Sequence, residues 1–268
     1  AFDRHIGVGH SKDDALSARL RSRTGLNPVR LSNRRTDEAF DWNQPPVIAL
    51  TASPAACLFD LDGLLLDTEP LHSRGWSEAA VHFGAQLSNE QLLQLKGRRR
   101  LDCAAMVSNW LPHPVDADAL LAVQQPIVRA LLPPAKAMPC AQLLVEHCDV
   151  RGIPMALVTS SSLEAVTFKA KPHPWLKRIQ ERVYGDDPEL QAGKPDPAPF
   201  RLAASRLGMD PRRCWALEDS QAGTEAALAA GCQVWVLNDQ PPSHDLNSNP
   251  RQINSLGVVL EQLLSTAD

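Results

Sequence analysis

The chain has no uninterrupted apolar run near the roughly 18–20 residues that a membrane-spanning helix requires, so no membrane partner is expected. It also lacks a dominant charge. Against 27 basic residues stand 31 acidic ones, for a formal net charge of −4, and this gives no reason to expect a nucleic-acid surface. None of the six cysteines (Cys57, Cys103, Cys140, Cys148, Cys214, Cys232) forms a C-x-x-C pair. Their scatter reads as reduced core thiols of a cytoplasmic protein rather than a metal or redox site. The first residues carry no apolar signal core, and the acids among them argue against a transit peptide.

What is present suffices for folding. With 268 residues and 44% hydrophobic content, the chain can build one large domain with a smaller insert. Residues 1–50 are polar and read as an N-terminal extension with no chemistry of its own. A short helix is expected in "DDALSARLRSR", and "NQPP" at 43–46 reads as the linker that ends the extension. From there the chain changes. Short apolar runs appear at "ACLF", "PMALVT" (154–159), "CWALED" (214–219) and "CQVWVL" (232–237). Helical stretches precede the last three: 141–149, 197–208 and 220–231, the last closed by Gly231 as C-cap. Alternating short strands and helices predict an α/β fold, a Rossmann-like parallel sheet with helices on both faces. Between the first two strands no strand-like run occurs. Four helical patterns fill that interval. The expected division is therefore an extension (1–50), an α/β core (51–70 and 138–268), and an inserted α-helical cap (71–137).

The first strand leads into "LFDLDGLLLDTEP", with four acids among Leu and Phe. Unpaired charges are costly to bury, so the cluster requires a purpose. Open α/β sheets bind ligands beyond the carboxyl ends of their strands. Asp60 and Asp62 fall at the end of the first strand, Thr159 at the end of the second, and Glu218 and Asp219 at the end of the third apolar run. Carboxylates meeting in one crevice repel one another unless a cation sits among them. Hard oxygen donors with few imidazoles point to Mg²⁺, which commonly carries a phosphate too. Lys194 in "GKPDP" can supply positive charge beside that phosphate.

"DLDGLLLDTEP", "VTSS", "GKPDP" and "LEDSQAG" resemble, in order and strand context, the four motifs of the haloacid dehalogenase superfamily. The helical insert resembles the type-1 cap of its β-phosphoglucomutase-like phosphatase branch. The match spans about residues 55–240. The resemblance implies that Asp60 is a nucleophile forming an aspartyl-phosphate. It implies that Asp62 is the general acid and base, and that Thr159, with the backbone N–H of Ser160, binds phosphoryl oxygens. Lys194 would tie Asp60 to the phosphate. Asp60, the carbonyl of Asp62, Asp219 and Glu218 would surround Mg²⁺. Asp60 and Asp62, two residues apart, are expected on one face of a strand, and Gly63 permits a sharp turn after them.

Other residues are read more modestly. Asp67 is expected to cap a turn or helix start. Glu69 stands at the hinge into the cap and is a candidate substrate-facing residue, as is His72. His72 resembles a position that lines the active site in this branch, and Trp76, four residues on, is expected in the cap core. In "LKGRRR", Lys96 and Arg100 are the candidate substrate contacts, ahead of Arg98 and Arg99. Arg100 aligns with a cation that mutases use for a distal phosphate. His113 and His173, in "PHP" turns, read as turn residues. The acids of "GDD" (185–187) are expected to face solvent or orient Lys194, without holding metal. The implied function is Mg²⁺-dependent hydrolysis of a small phosphorylated metabolite, a sugar or polyol phosphate, by a monomer. The alternatives are a phosphosugar mutase using the same Asp60 chemistry and a catalytically silent binding protein on this fold.

Overall fold

The computed structural model describes residues 53–131, 135–239 and 248–266. The expected extension, its helix and its linker lie outside the described residues. Six strands form one sheet: β1 (Ala56–Phe59), β2 (Met155–Val158), β3 (Glu181–Val183), β4 (Cys214–Glu218), β5 (Gln233–Leu237) and β6 (Arg251–Ile253), in the order β3-β2-β1-β4-β5-β6. Every pairing is parallel. Strands β1, β2 and β4 are buried along their whole length, which is why they read as continuous apolar runs rather than alternating ones. The edge strands β3 ("ERV") and β6 ("RQI") were not expected from the sequence. They are three residues long, polar and partly exposed, as edges commonly are.

Helices α1 (Glu69–His82), α2 (Asn89–Leu95), α3 (Arg100–Trp110) and α4 (Ala117–Leu131) lie between β1 and β2. Helices α5 (Ala141–Val150), α6 (Leu163–Ala170), α7 (Ala198–Arg206), α8 (Gln221–Ala230) and α9 (Leu256–Ser265) belong to the sheet-bearing part. Period-two alternation sends Leu58, Ala156, Val158 and Ala216 to one face of the sheet, against Phe200, Ala203, Ala226 and Ala227 of α7 and α8. The opposite face carries Cys57, whose Sγ lies 3.9 Å from that of Cys148 on α5. All six cysteines are unpaired thiols, five of them buried, as the scatter predicted. Gly231 ends α8 at φ 94°, the left-handed conformation that favours glycine at a C-cap.

The insert has its own apolar cluster, built from Trp76, Ala79, Leu95, Cys103, Val107, Leu120 and Leu121. Helix α2 starts with a reciprocal cap: Ser88 Oγ accepts from Gln91 N–H, and the Gln91 carboxamide accepts from Ser88 N–H. Gly75 lets α1 and α4 approach closely, since a Cβ there would stand 2.3 Å from Val128 Cγ2. The segments entering and leaving the insert are tied together, with Asp67 N–H donating to Lys136 O at 2.8 Å and Met138 N–H to Leu65 O at 3.0 Å.

Candidate active site

The central strands set the site. Phe59 pairs with Leu157 on one side and Leu217 on the other, so β1, β2 and β4 end nearly level. Asp60 and Thr159, which follow β1 and β2, and Glu218 and Asp219, the last residue of β4 and the next, therefore meet at one edge, where the connections diverge to either side of β1. Lys194 enters from the loop before α7. Its ammonium donates to Asp60 Oδ1 at 2.6 Å, to Glu218 Oε1 at 2.5 Å and to Val158 O at 2.8 Å, and the side chain is 1% exposed. Ser220 caps α8 by accepting from Gly223 N–H, and donates its own hydroxyl to Glu218 Oε2 at 3.0 Å. Two glycines make room. Gly63 has φ 86°, and a Cβ there would stand 1.8 Å from Asp219 Oδ2; a Cβ at Gly223 would stand 2.0 Å from Glu218 Cδ.

Asp62 is placed differently from the expectation. Strand β1 stops at Phe59, so Asp60 and Asp62 both stand beyond it rather than on one strand face. Asp62 turns toward α6. Lys169 Nζ donates to both of its oxygens, at 2.5 and 2.6 Å, and Ser161 Oγ donates to Oδ2 at 2.8 Å. Thr68 Oγ1 donates to Oδ1 at 2.5 Å, with His72 Nε2 at 3.4 Å from the same oxygen. Lys169 is buried and also donates to Ser161 Oγ. The sequence reading missed Lys169, Ser161 and Thr68. A lysine on a short helix reads as solvated. The available signal was spacing, because Lys169 lies three residues after the buried Val166 on the inward face of α6.

The charges divide into two groups. Burial pushes Asp60 well above the usual carboxylate range, Lys194 pulls it back, and Glu218, Asp219 and Asp62 push it further up. Burial pushes Asp219 up to about 7 despite Lys96, whose Nζ lies 2.7 Å from its Oδ2, and Glu218 adds to the rise. Burial opposes the charge on Lys194, but Asp60 and Glu218 outweigh it and hold the ammonium above its usual value. Burial likewise opposes the charge on Asp62, yet Lys169 and His72 hold its carboxyl well below the usual range. The first group is thus short of positive charge, whereas Asp62 is fully compensated.

That shortage bears on metal. Asp60, Glu218 and Asp219 offer carboxylate oxygens within 4.8 Å of one another. All-oxygen donors, two of them on carboxyls driven up by burial and, to a lesser degree, by one another, fit a hard divalent cation such as Mg²⁺. The space over Asp219 that Gly63 keeps free of a side chain fits it as well.

A cavity of about 680 Å³ opens between this edge and the insert, reaching Asp60, Asp62, Thr159 and Ser160. Lys194 and Glu218 stand behind Asp60 and do not line it. From the insert, Glu69, His72, Trp76, Lys96, Arg98 and Arg100 line it. Trp76 also belongs to the insert's core, as expected. Gly97 fits over Ser220, and its carbonyl accepts from Ser160 Oγ at 2.7 Å. Arg100 reaches Ser162 Oγ at 3.4 Å, and Arg129 pairs with Glu164 across the opening. Arg99 is engaged elsewhere, with Asp102 at 2.9 Å and packed over Gly193.

Two expectations are corrected. Asp67 is exposed and makes no capping bond. The cap position of α1 is Thr68, whose hydroxyl is drawn to Asp62 instead. Asp187 neither faces solvent nor orients Lys194. It is buried and held by Arg206 at 2.7 and 2.9 Å, while the exposed Asp186 accepts from Leu163 N–H at the start of α6. Of the two turn histidines, His113 is exposed and His173 Nε2 lies 2.7 Å from Ala135 O.

A parallel sheet that gathers carboxylates, a hydroxyl and a buried lysine at its central strand ends is a Rossmann-like α/β fold with an enzyme-like site at its topological switch point. The chain belongs to the haloacid dehalogenase-like hydrolase family, whose model matches residues 54–231, and to its β-phosphoglucomutase-like branch. It is 30% identical over 200 residues to the bifunctional riboflavin kinase/FMN phosphatase of Arabidopsis thaliana, covering 74% of this chain and 52% of that protein, and so spans about half of that relative's length. It is 32% identical to hexitol phosphatase A of Escherichia coli, covering 75% and 91%. Its fold matches a Bacteroides vulgatus protein assigned as a β-phosphoglucomutase, with a TM-score of 0.66 and 25% identity, covering 79% of this chain and 89% of the other.

Proposed function

We propose that this chain is a Mg²⁺-dependent phosphatase of a small phosphorylated metabolite, a sugar or polyol phosphate. One observation carries the reading: Asp60 and Asp62 line a single cavity but lie in opposite electrostatic settings, Asp60 in a group short of cations and Asp62 compensated by Lys169. The phosphatase names of the relatives, hexitol phosphatase A among them, support it.

Asp60, fixed by Lys194 at 2.6 Å, attacks phosphorus. The P–O bond to the leaving alcohol breaks, and an aspartyl-phosphate forms. Thr159 and the Ser160 N–H receive the phosphoryl oxygens. Asp62 protonates the leaving oxygen, then takes a proton from the water that attacks the aspartyl-phosphate. Lys169 holds Asp62 ionised, which suits the second step. The entering phosphate dianion raises Asp62 toward protonation for the first, because a like charge disfavours the carboxylate. Mg²⁺ held by Asp60, Asp219, Glu218 and the Asp62 carbonyl would offset the phosphoryl charge. The helical insert, residues 71–137, acts as the cap and selects substrate through His72, Lys96 and Arg100, with Glu69 at the hinge.

A mutase is the second reading, favoured by Arg100 standing at the cavity beside Ser162. A screen of phosphate release over phosphorylated sugars, polyols and nucleotides, with and without Mg²⁺, separates the two. Metal-dependent release from sugar or polyol phosphates is the expected outcome. Isomer formation that outpaces release, and that needs a bisphosphate primer, would replace this reading with the mutase.

A further inference from the structure

Gln124 on α4 is 3% exposed as a residue, and its side chain forms no hydrogen bond among the described residues. Its carboxamide is not among the sealed, unpartnered polar atoms of the core; the residue lines the cavity, so the amide is open to a ligand there. Its Nε2 lies 3.5 Å from where a Cβ on Gly75 would stand, beside the turn of α1 that carries Trp76. Val128, one turn further along α4, shares that face, and Trp76, Leu95 and Cys103 also line the cavity.

The cavity thus has two ends of different chemistry. One holds the carboxylates, Thr159 and the cations of residues 96–100. The other is lined from α4 by Val128 and the neutral amides Gln124 and Gln125, with Arg129 exposed at the rim and already paired with Glu164. A charged distal group placed against Trp76 and Val128 would lose its hydration with no cation among those side chains to replace it. A sugar or polyol loses little there. A carboxamide donates and accepts at once, as a hydroxyl does, and an indole covers the carbon face of such a molecule.

We propose that Gln124 is the specificity-determining contact for a neutral, hydroxyl-bearing leaving group, hydrogen-bonding its hydroxyls while Trp76 packs against its carbon skeleton. This rests on the phosphatase reading and narrows it, because it disfavours a second phosphate at that end.

The test is Gln124→Met in the full chain, which keeps length and volume but removes the amide. kcat/KM for hexitol or hexose phosphates should fall about 10–100-fold, mainly through KM, as expected when a bonded hydroxyl loses its partner. kcat/KM for p-nitrophenyl phosphate, which has no hydroxyls, should stay within about twofold. The free variant should melt within about 2 °C of the wild type, because the carboxamide bonds nothing in the protein. A melting temperature lower by about 4 °C or more, or equal losses on both substrates, would assign Gln124 a structural role and overturn the proposal. An unchanged ratio between the substrates would overturn it too. A wild-type protein that releases phosphate from none of these esters would instead refute the phosphatase reading, and the melting temperature would then still show whether Gln124 has a structural role.

Discussion

At the sheet edge, polar groups are fixed to one another at short range. Lys194 makes three hydrogen bonds, and Asp62 accepts from Lys169, Ser161 and Thr68. Across the cavity, Lys96 is paired with Asp219 at 2.7 Å, but other groups of the insert are more loosely held or unengaged. Arg100 has Ser162 at 3.4 Å, Arg98 donates to the Gln94 carbonyl, and Gln124 has no partner among the described residues. The contrast separates two tasks. Chemistry needs atoms held within a fraction of an ångström, so its side chains are locked by neighbours. Recognition needs groups whose bonding capacity is left for the substrate.

The comparison would break first at Asp60. Asp60→Asn keeps the shape but removes the attacking charge, and turnover should fall by about 10⁴-fold or more with an unchanged circular dichroism spectrum. Retained phosphate release would move the chemistry elsewhere. Asp62→Asn should cost about 10²–10⁴-fold, with the larger losses on poor leaving groups. A loss independent of leaving group would remove its acid role. Lys169→Met leaves the Asp62 carboxylate without its ammonium and free to turn. A loss of about 10²-fold in kcat, with KM little changed, is expected from such misplacement, whereas a pure KM effect would place Lys169 with the recognition groups.

On the insert side, effects should be smaller and fall on selectivity. Arg100→Ala should change KM for small monophosphates by about fivefold or less, since the residue makes one long contact and monophosphates carry no distal anion. A large loss of isomerisation would instead make it the distal-phosphate group of a mutase. Removing residues 1–48 should leave kcat/KM unchanged, because every residue assigned to the site is at position 60 or later.

How much of this could be read from the sequence follows the same divide. Asp60, Thr159, Lys194, Glu218 and Asp219 were legible because each lies beside an apolar run that can only be a buried strand, or in a short motif around glycine or proline. The central strands were legible for the same reason. The edge strands β3 and β6 were not, since three residues with a single apolar one carry no pattern. Lys169 was hidden because its partner is 107 residues away and its helix, α6, is only eight residues long. Asp67 misled because acids before a helix commonly cap it, whereas here Thr68 takes that position and gives its hydroxyl to Asp62. Gln124 could not be singled out, because the sequence does not show which side chains a cavity leaves without partners.

The central claim is that Asp60 carries the phosphoryl group between two half-reactions. The direct measurement is to quench Asp62→Asn during turnover of ³²P-labelled p-nitrophenyl phosphate, whose leaving group needs no acid, and map the label by peptide. The account predicts hydroxylamine-labile label on the peptide containing Asp60, absent when Asp60 is also changed to Asn. Protein free of label while phosphate is still released, or label on another residue, would contradict it.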